Sequence, residues 1–429
     1  MPKRPYHLET LALHAGQEAD PATMARAVPV YRTTAYKFRN SKHGADLFAL
    51  RELGNIYARL MNPTNDVLEK RLAALDGGAA ALSLASGTAA VYFSITNILR
   101  SGDELVSAVN LYGGTYTMFD AILPQQDITV RFTPVNDFAA VERAINARTR
   151  ALFIETIGNP VLDVADIAGY SALAAKYHLP LIVDATFTPP TLLRPIEYGA
   201  DLVIHSLSKW IGGHGIGIGG IVVDAGKFDW SDPKFVLYNE PDRGYHGLRF
   251  AHDLGDLTPV AFALRLRTVG LRNQGPTLAP DAAWQFIQGV ETLPLRMAVH
   301  SANALAVAEY LRKHPKVTWV RYPGLIGDPA YHLAQQYLKK GAGGMVVFGV
   351  VGGEEAAIKL VDNIELFSLL ANVGDAKSLI IHSGSTTHSQ LSEEAQAAGG
   401  LFPDLIRLSV GLEHIDDIIG ALEDVLEKV

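Results

Sequence analysis

The segment LIVDATFTPPTLLRPIEYGADLVIHSLSKW (residues 181–210) contains two apolar runs that each end in polar side chains. Leu181-Ile182-Val183 is followed by Asp184, and Leu202-Val203-Ile204 is followed by His205-Ser206-Leu207-Ser208-Lys209. Short apolar runs bounded by turn residues predict buried strands of a parallel sheet. Because ligands bind outside the carboxyl ends of strands in open α/β sheets, we expect this carboxylate and this amine to lie at one ligand-binding edge.

Further apolar runs on both sides of this segment extend the same predicted sheet. Between them lie stretches with helical periodicity, such as Tyr116–Leu123, Asp137–Asn146 and Ile167–His178. This alternation predicts an α/β fold, with a mostly parallel central sheet covered by helices on both faces. The additional predicted strands are Ala81–Leu84, Glu104–Ala108, Ile128–Phe132, Ala151–Glu155 and Gly220–Asp224.

The length of 429 residues indicates more than one domain, because a single hydrophobic core stops growing at roughly 250–300 residues. Beyond residue 290 or so, a helical stretch at Pro294–His314 is followed by strand-like runs at Thr318–Tyr322 and Gly344–Val351. The predicted units are an N-terminal segment (residues 1–65), a large domain (66–290) and a smaller α+β C-terminal domain (291–429).

The composition excludes several classes of function. The formal net charge is −8 and no Lys/Arg-rich run occurs, so a nucleic-acid backbone has no basic surface to bind. The chain has no cysteine, which excludes disulfides, thiolate metal sites and a cysteine nucleophile. The N-terminus lacks the apolar stretch of a signal peptide, and no run reaches the ~18–20 apolar residues of a membrane span. These features predict a soluble, cytoplasmic protein.

Groups suited to binding an anion lie near the predicted edge. Ala85-Ser86-Gly87-Thr88-Ala89-Ala90 falls between a strand and a helix, where backbone N–H groups and the helix dipole favour a phosphate. Ser206 and Ser208 add hydroxyl groups beside Lys209. Read singly, the amine and the carboxylate could form a structural ion pair, and the serine could be an ordinary N-cap. Read together, these groups predict a pocket for pyridoxal phosphate, whose aldehyde Lys209 holds as a Schiff base.

Asp184 and Tyr112 would meet two further needs of such a pocket. The ring nitrogen of pyridoxal phosphate must stay protonated for the ring to accept electrons, and an adjacent aspartate supplies the counter-charge. The ring also needs a flat partner on its open face. Tyr112 can provide this because it follows the predicted strand Glu104–Ala108, although packing within the turn is an alternative role.

Many motifs along the chain carry a family resemblance. They are YARLMNPT (57–64), ASGTAA (85–90), NLYGGTY (110–116), ETIGNP (155–160), LIVDATF (181–187), HSLSKWIGGHG (205–215), GDAKSLIIH (374–382) and IRLSVGLEHIDDI (406–418). With these motifs in this order, the chain resembles the Cys/Met-metabolism enzymes of the fold-type-I pyridoxal-phosphate class, and among them the O-acetylhomoserine sulfhydrylases. The resemblance covers nearly the whole chain. It implies a fold-type-I transferase whose cofactor is pyridoxal 5′-phosphate.

The resemblance also implies a role for each matching residue. Lys209 carries the cofactor and later moves protons, Asp184 pairs with the pyridine nitrogen, and Tyr112 stacks on the ring and assists proton transfer. Arg407 clamps the substrate carboxylate with its bidentate fork, and Asn372 sits beside it. The other implied cofactor contacts are the backbone amides of Gly87 and Thr88, the hydroxyls of Ser206 and Ser208, and the side chain of Asn159.

Tyr57 and Arg59 are implied to act across a subunit boundary. In enzymes of this family the matching residues reach the phosphate of the neighbouring subunit. The resemblance therefore implies a homodimer at minimum and a homotetramer as the expected assembly. Without it, the two residues would be an unremarkable loop pair. Thr387 is implied to lie near the bound substrate.

Two sequence features bear on which reaction of the family this chain performs. The aromatic-rich segment Lys227–Phe250 resembles an insertion typical of the sulfhydrylases, although a surface excursion with packing aromatics would give the same pattern. Methionine lyases of the family usually carry a cysteine where this chain has Gly114. The resemblance thus implies γ-replacement, which converts O-acetyl-L-homoserine and sulfide into L-homocysteine and acetate in methionine biosynthesis.

Other functions are also compatible with the sequence. Within the same family they are an O-succinylhomoserine sulfhydrylase, a cystathionine γ-synthase and a methionine γ-lyase, which differ in the group that leaves and the group that attacks. In another class, a non-catalytic α/β binding protein would share the predicted fold, because fold alone does not determine function.

A few positions depart from the family pattern. Ala185 stands where Asn is common, and Ile216 stands where Thr is usual. Ser383-Gly384 replace a usual Pro-Ala, which adds backbone freedom beside the substrate. These departures bear on substrate preference and turnover rather than on the basic chemistry. The histidines show no spacing typical of a metal site, and we predict hydrogen-bonding roles for His382 and His388.

Overall fold

The computed structural model describes residues 5–386 and 402–428, which contain two β-sheets. The strands of the larger sheet lie close to their predicted bounds. They are β1 (Ala80–Leu84), β2 (Glu104–Ala108), β3 (Thr129–Thr133), β4 (Thr149–Glu155), β5 (Leu181–Asp184), β6 (Leu202–Ser206) and β7 (Gly220–Asp224).

The larger sheet has the strand order β1-β7-β6-β5-β4-β2-β3. Strand β7 runs antiparallel to both of its neighbours, and the remaining pairs are parallel. The prediction of a mostly parallel sheet is therefore confirmed. Strands β4, β5 and β6 are adjacent and point the same way, so their carboxyl ends meet at one edge. In register, Glu155 lies beside Asp184, and Asp184 lies beside Ile204.

The central strands are buried on both faces. Val183 and Val203 belong to one hydrophobic core, whereas Ile182 and Ile204 belong to the core on the opposite face, and none of the four is exposed. Side chains alternate between the two faces of a strand. A strand that is buried on both faces therefore reads as a continuous apolar run, which is why these strands were visible in the sequence.

The described residues form fourteen α-helices. Short π-type turns extend two of the helical stretches, and a third π-type turn directly follows β6. The helices are α1 (Leu8–His14), α2 (Ser41–Phe48), α3 (Pro63–Asp76), α4 (Gly87–Thr96), α5 (Gly113–Thr117), α6 (Phe138–Ala144), α7 (Ile167–Lys176), α8 (Val236–Asn239), α9 (Ala261–Arg265), α10 (Arg272–Gln274), α11 (Pro280–Lys313), α12 (Tyr331–Tyr337), α13 (Gly353–Asn363) and α14 (Ile415–Leu426). None of the helices within residues 5–386 and 402–428 combines the length and apolar character that a membrane crossing needs.

The second sheet lies in the C-terminal part of the chain and has the order β10-β11-β12-β9-β8. Most of its neighbouring strands are antiparallel, and only β10 and β11 run parallel. Its strands are β8 (Val317–Arg321), β9 (Met345–Val350), β10 (Ser368–Leu369), β11 (Leu379–His382) and β12 (Ile406–Ser409). Helix α11 packs against β8 and β9 of this sheet and against the turn that carries Lys209.

Two helical stretches differ from their predicted bounds. The stretch predicted from Pro294 begins at Pro280, and Pro294 lies inside α11. An internal proline removes one hydrogen bond, which is tolerated here because Val290, Leu293 and Met297 beside it are buried. The stretch predicted from Tyr116 begins at Gly113 and continues as a π-type turn. The boundary predicted near residue 290 falls within α11 and stays a prediction.

Candidate active site

Lys209 lies in a distorted turn directly after β6. The turn spans Leu207–Ile211, and the backbone angles of Lys209 (φ −98°, ψ −133°) are not helical. Its Nζ atom donates a hydrogen bond to Asn372 Oδ1 at 2.6 Å. Burial, followed by the nearby positive charge of Arg407, lowers the pKa of Lys209 from 10.5 to about 8. A larger fraction of this amine is therefore uncharged near neutral pH than for an ordinary lysine, which makes it a better nucleophile.

The turn that carries Lys209 is held from helix α11. Arg296 donates from Nη1 to the carbonyl of Trp210 at 2.7 Å and from Nη2 to the carbonyl of Ile211 at 3.1 Å. Gly374 packs so closely on the turn that a Cβ atom there would lie 2.5 Å from the Trp210 nitrogen. These contacts satisfy carbonyls that the distorted turn leaves without a helical partner. The position of the lysine backbone is therefore fixed by packing and hydrogen bonds.

Asp184 ends β5 on the same edge of the sheet. Its Oδ1 atom accepts a hydrogen bond from the Thr186 backbone nitrogen at 2.9 Å. Within residues 5–386 and 402–428 it forms no ion pair. Burial raises its pKa, while the Thr186 hydrogen bond and the charge of His205 oppose that change. A carboxylate of this kind gains strongly from a cationic ligand group placed beside it.

His205, on β6, lies behind this edge and is fully buried. Its Nε2 atom is 2.9 Å from Asp76 Oδ2, and its Nδ1 atom is 3.2 Å from the Ala185 carbonyl oxygen. Burial acts to lower its pKa, but Asp76 and Asp184 raise it above the ordinary value. This histidine supports the peptide that follows Asp184 and carries positive charge toward that carboxylate.

Helix α4 begins at the edge with free backbone donors. The Ser86 side chain accepts from the Ala89 nitrogen at 3.0 Å and so caps the helix. The first N–H groups of a helix have no intrahelical acceptor, which leaves those of Gly87 and Thr88 available to an anion. A Cβ atom on Gly87 would lie 2.6 Å from Ser206 Cβ, so the helix start and the end of β6 are in close contact.

The two predicted serine ligands differ in their surroundings. Ser206 lies against Gly87, and its backbone nitrogen donates to Thr186 Oγ1 at 2.9 Å. The Ser208 hydroxyl accepts from the Gly219 nitrogen at 3.0 Å and therefore already links the lysine turn to β7. Ser206 is thus better placed than Ser208 to contribute a hydroxyl to an anion held at the start of α4.

Tyr112 precedes helix α5 at the end of β2. Its backbone nitrogen donates to Glu155 Oε1 at 2.7 Å. The residue is 52% exposed and is therefore accessible to a ligand. A Cβ atom on Gly114 would lie 2.6 Å from the ring, so the glycine allows the ring to fold back over its own turn.

Arg407 brings the second sheet to this edge. It lies on β12, is only 6% exposed, and donates from Nη1 to Asn159 Oδ1 at 3.1 Å. Burial lowers its pKa to about 10. Asn372, the acceptor for Lys209, comes from the segment between β10 and β11. Residues from both sheets therefore meet around the amine, and they include a buried guanidinium suited to a carboxylate.

Tyr57 and Arg59 form a pair of their own. The Arg59 guanidinium stacks 5.2 Å from the centroid of the Tyr57 ring, which is 40% exposed. Within the described chain they contact none of the other predicted site residues through a hydrogen bond or ion pair. Thr387 and His388 lie outside the described residues. His382 binds Ser385 Oγ at 2.8 Å and the Pro403 carbonyl at 2.7 Å, so its hydrogen-bonding role is confirmed.

Sequence reasoning missed two residues that shape the site. Glu155, at the end of β4, is buried beside Asp184 and holds the Tyr112 backbone. The rule that led to Asp184, namely a polar residue at the end of a central strand, could have found it. Arg296 had no comparable signal, because nothing near it in the sequence shows that its fork reaches the lysine turn.

Comparisons with known proteins agree with this geometry. The profile of the family described as "Cys/Met metabolism PLP-dependent enzyme" matches residues 9–427. An O-acetyl-L-homoserine sulfhydrylase of Leptospira meyeri is 51% identical, and the match covers 99% of this chain and 98% of that protein. A homocysteine synthase of Schizosaccharomyces pombe is 49% identical over the full length of both chains.

Among solved structures, a putative O-acetylhomoserine (thiol)-lyase from Campylobacter jejuni has the same fold. It superposes with a TM-score of 0.95 at 40% identity and covers 98% of this chain and 100% of that chain. That crystal structure contains N′-pyridoxyl-lysine-5′-monophosphate.

Proposed function

The chain belongs to the Cys/Met metabolism PLP-dependent enzyme family, and we propose on that premise that it converts O-acetyl-L-homoserine and sulfide into L-homocysteine and acetate. The observation that carries this proposal is its 51% and 49% full-length identity to an O-acetyl-L-homoserine sulfhydrylase and a homocysteine synthase. Such a transferase acts in methionine biosynthesis. The sequence-based prediction of a PLP-dependent transferase is confirmed.

The residues at the sheet edge fit pyridoxal phosphate. The fit rests on three features: a buried amine whose pKa is about 8, a carboxylate without an ion-pair partner in the described chain, and unpaired N–H groups at a helix start. We assign these to Lys209, Asp184, and Gly87 with Thr88. When bound, the cofactor supplies an aldehyde that captures amines and a ring that accepts electrons. Ser206, Ser208, Asn159 and Tyr112 complete the proposed set of cofactor contacts within the subunit.

The substrate is held and deprotonated by residues of both sheets. Arg407 binds the α-carboxylate through its fork, and Asn372 orients the adjacent side chain of Lys209. The amine of Lys209 would serve as the base that removes first the Cα proton and then a Cβ proton of the substrate. Loss of these protons would allow acetate to leave Cγ with the electrons of its C–O bond. Hydrosulfide would form the new C–S bond at Cγ, and Lys209 would then return protons to Cβ and Cα. Asp184 keeps the cofactor ring nitrogen protonated through its negative charge.

We also propose an assembly state, a domain division and a cellular location. Tyr57 and Arg59 are exposed and, within the described residues, form no hydrogen bond or ion pair with the other proposed site residues, which supports a role at a neighbouring subunit's site. We therefore propose a homodimer at minimum and a homotetramer as the assembly, to be tested by light scattering. The units 1–65, 66–290 and 291–429 remain our proposed division, and we propose a cytoplasmic location, which cell fractionation tests.

The decisive experiment is a product assay on purified protein supplied with the cofactor. O-acetyl-L-homoserine and sulfide should yield homocysteine, whereas the O-succinyl ester, or cysteine in place of sulfide, should yield much less product. Release of methanethiol from methionine would instead indicate a lyase. A protein that binds the cofactor and forms no homocysteine would refute the proposed reaction while leaving family membership intact.

A further inference from the structure

Two carboxyl groups lie side by side at the edge of the large sheet. Glu155 on β4 and Asp184 on β5 are paired in register on parallel strands. Their side chains therefore project to the same face, with the strands separated by only ~4.8 Å. Glu155 is 8% exposed. Two negative charges on buried, neighbouring side chains repel each other strongly, because a buried environment screens them little.

The cations near this pair are directed elsewhere. Neither carboxyl group forms an ion pair within residues 5–386 and 402–428. Lys209 donates to Asn372, and Arg407 donates to Asn159. His205, behind the sheet, lowers the pKa of Asp184 and does not act on Glu155. The available positive charge thus favours ionisation of Asp184 over its neighbour.

Glu155 has a contact that does not need a negative charge. Its Oε1 atom accepts the Tyr112 backbone N–H at 2.7 Å. That N–H precedes helix α5, where backbone donors lack intrahelical acceptors. The carbonyl oxygen of a neutral carboxylic acid is a sufficient acceptor. Burial, and next the charge of Asp184, raise the pKa of Glu155 well above 4.5, and the Tyr112 hydrogen bond opposes this only in part.

We propose that Glu155 is a protonated, neutral carboxylic acid in the working enzyme and acts as a positioning residue for Tyr112. Asp184 is then the single negative charge beside the cofactor ring. This difference between a neutral Glu155 and an ionised Asp184 follows a general rule, in which the surroundings of neighbouring titratable groups drive them to different protonation states. The positioning role rests on the proposed function, because it is Tyr112 that covers the cofactor. The protonation state of Glu155 does not rest on that function.

Infrared spectroscopy of the holoenzyme tests the protonation state directly. The difference spectrum between the parent and Glu155→Gln near neutral pH should contain the carbonyl stretch of one protonated carboxylic acid, with the small shift expected in D₂O. Glu413→Gln is the matched control, because Glu413 also accepts a backbone N–H, from Ser378, at 2.7 Å. A difference spectrum that shows only carboxylate bands lost in Glu155→Gln would overturn the proposal.

A second comparison tests the role of the neutral acid. Glu155→Ala leaves the Tyr112 N–H without an acceptor and should lower kcat/KM about tenfold. Glu155→Gln keeps an amide oxygen as acceptor and should recover most of that loss. The pH midpoint of the cofactor's visible absorbance should move in Asp184→Asn and stay in place in Glu155→Gln. A Gln variant that behaves like Asp184→Asn would show that Glu155 acts through its charge, and would refute the assignment.

The two hypotheses fail in different ways. If the protein never forms homocysteine, the proposed reaction fails, but the infrared difference still reports on Glu155. If homocysteine forms and the acid band is missing, only the inference about Glu155 falls.

Discussion

Buried charged side chains have different kinds of partners in two regions of the molecule: the helical layer that supports the large sheet, and the sheet edge that carries Lys209. In the supporting layer, Arg71 is fully buried and is met by Glu291 at 3.2 Å, Gln17 at 2.8 Å and the Ala15 carbonyl at 3.0 Å. At the edge, the neutral Asn372 is the only hydrogen-bond partner of Lys209 among the residues that the structure describes. Groups without opposite charges cost stability and are retained where a ligand will complete them.

The largest expected effect comes from removing the amine at the edge. Lys209→Ala should lower the rate of homocysteine formation by at least about a thousandfold, because both cofactor capture and proton transfer are lost. A buried lysine whose pKa is lowered on folding costs stability at neutral pH. The thermal midpoint of the cofactor-free variant should therefore not fall below that of the cofactor-free parent. A clear loss of stability would show that Lys209 stabilises the fold although it has no oppositely charged partner.

Removal of a paired charge from the supporting layer should have the opposite signature. Arg71→Met leaves Glu291 and two further acceptors without their donor and should lower the free energy of unfolding by about 3 kcal/mol. Urea denaturation of the holoenzyme measures this change. The variant that remains folded should keep its KM for O-acetyl-L-homoserine, since Arg71 bonds Ala15, Gln17 and Glu291, none of which is a proposed substrate-binding residue. A raised KM in a variant of unchanged stability would show that Arg71 contributes to the substrate site.

Arg407→Lys should have an intermediate effect. A point charge replaces a planar fork, so kcat/KM for O-acetyl-L-homoserine should fall roughly 10- to 100-fold, mainly through a higher KM. The KM for sulfide should change little, because sulfide has no carboxylate. Steady-state kinetics with each substrate varied in turn measures both values. A change confined to the KM for sulfide would show that Arg407 does not hold the substrate carboxylate.

The smallest expected effect is a pH dependence of cofactor uptake. Because only the neutral amine attacks an aldehyde, the uptake rate of cofactor-free protein should rise about tenfold per pH unit and level off above pH 8, the pKa of Lys209. Stopped-flow absorbance measures the rate. Arg407→Gln should move the plateau to higher pH, because the nearby positive charge is removed. A rate that still rises steeply toward pH 10 would show an ordinary lysine.

Much of the fold could be predicted because its central strands are buried on two faces. Continuous apolar runs then mark the strands, and the residues that follow them, such as Asp184 and Lys209, mark the edge. Asn372 and Arg407 were assigned only through family resemblance, since no local pattern places them near residue 209. The neutral state of Glu155 depends on strand register and burial, and the sequence displays neither quantity.

The same limit applies to irregular backbone and to long helices. The π-type turn at Leu207–Ile211 has no periodic signature, because it spans barely more than one turn. Helix α11 was predicted too short because Pro294 resembles a helix start, and only its packing on both sides shows that the helix runs through. The segment Lys227–Phe250 contributes Trp230, which stacks on Tyr238 with ring centroids 4.4 Å apart. Its aromatics therefore pack into the scaffold.

Helix α11 contacts both the turn that follows β6 of the large sheet and the C-terminal sheet. One of its side chains, Arg296, holds the backbone of the turn that carries Lys209, and the helix also packs against β8 and β9. A rotation of the C-terminal sheet would consequently also displace the backbone segment that positions Lys209. Any adjustment to a substrate that leaves the amine aligned would therefore involve side chains and loops rather than a movement of the C-terminal sheet.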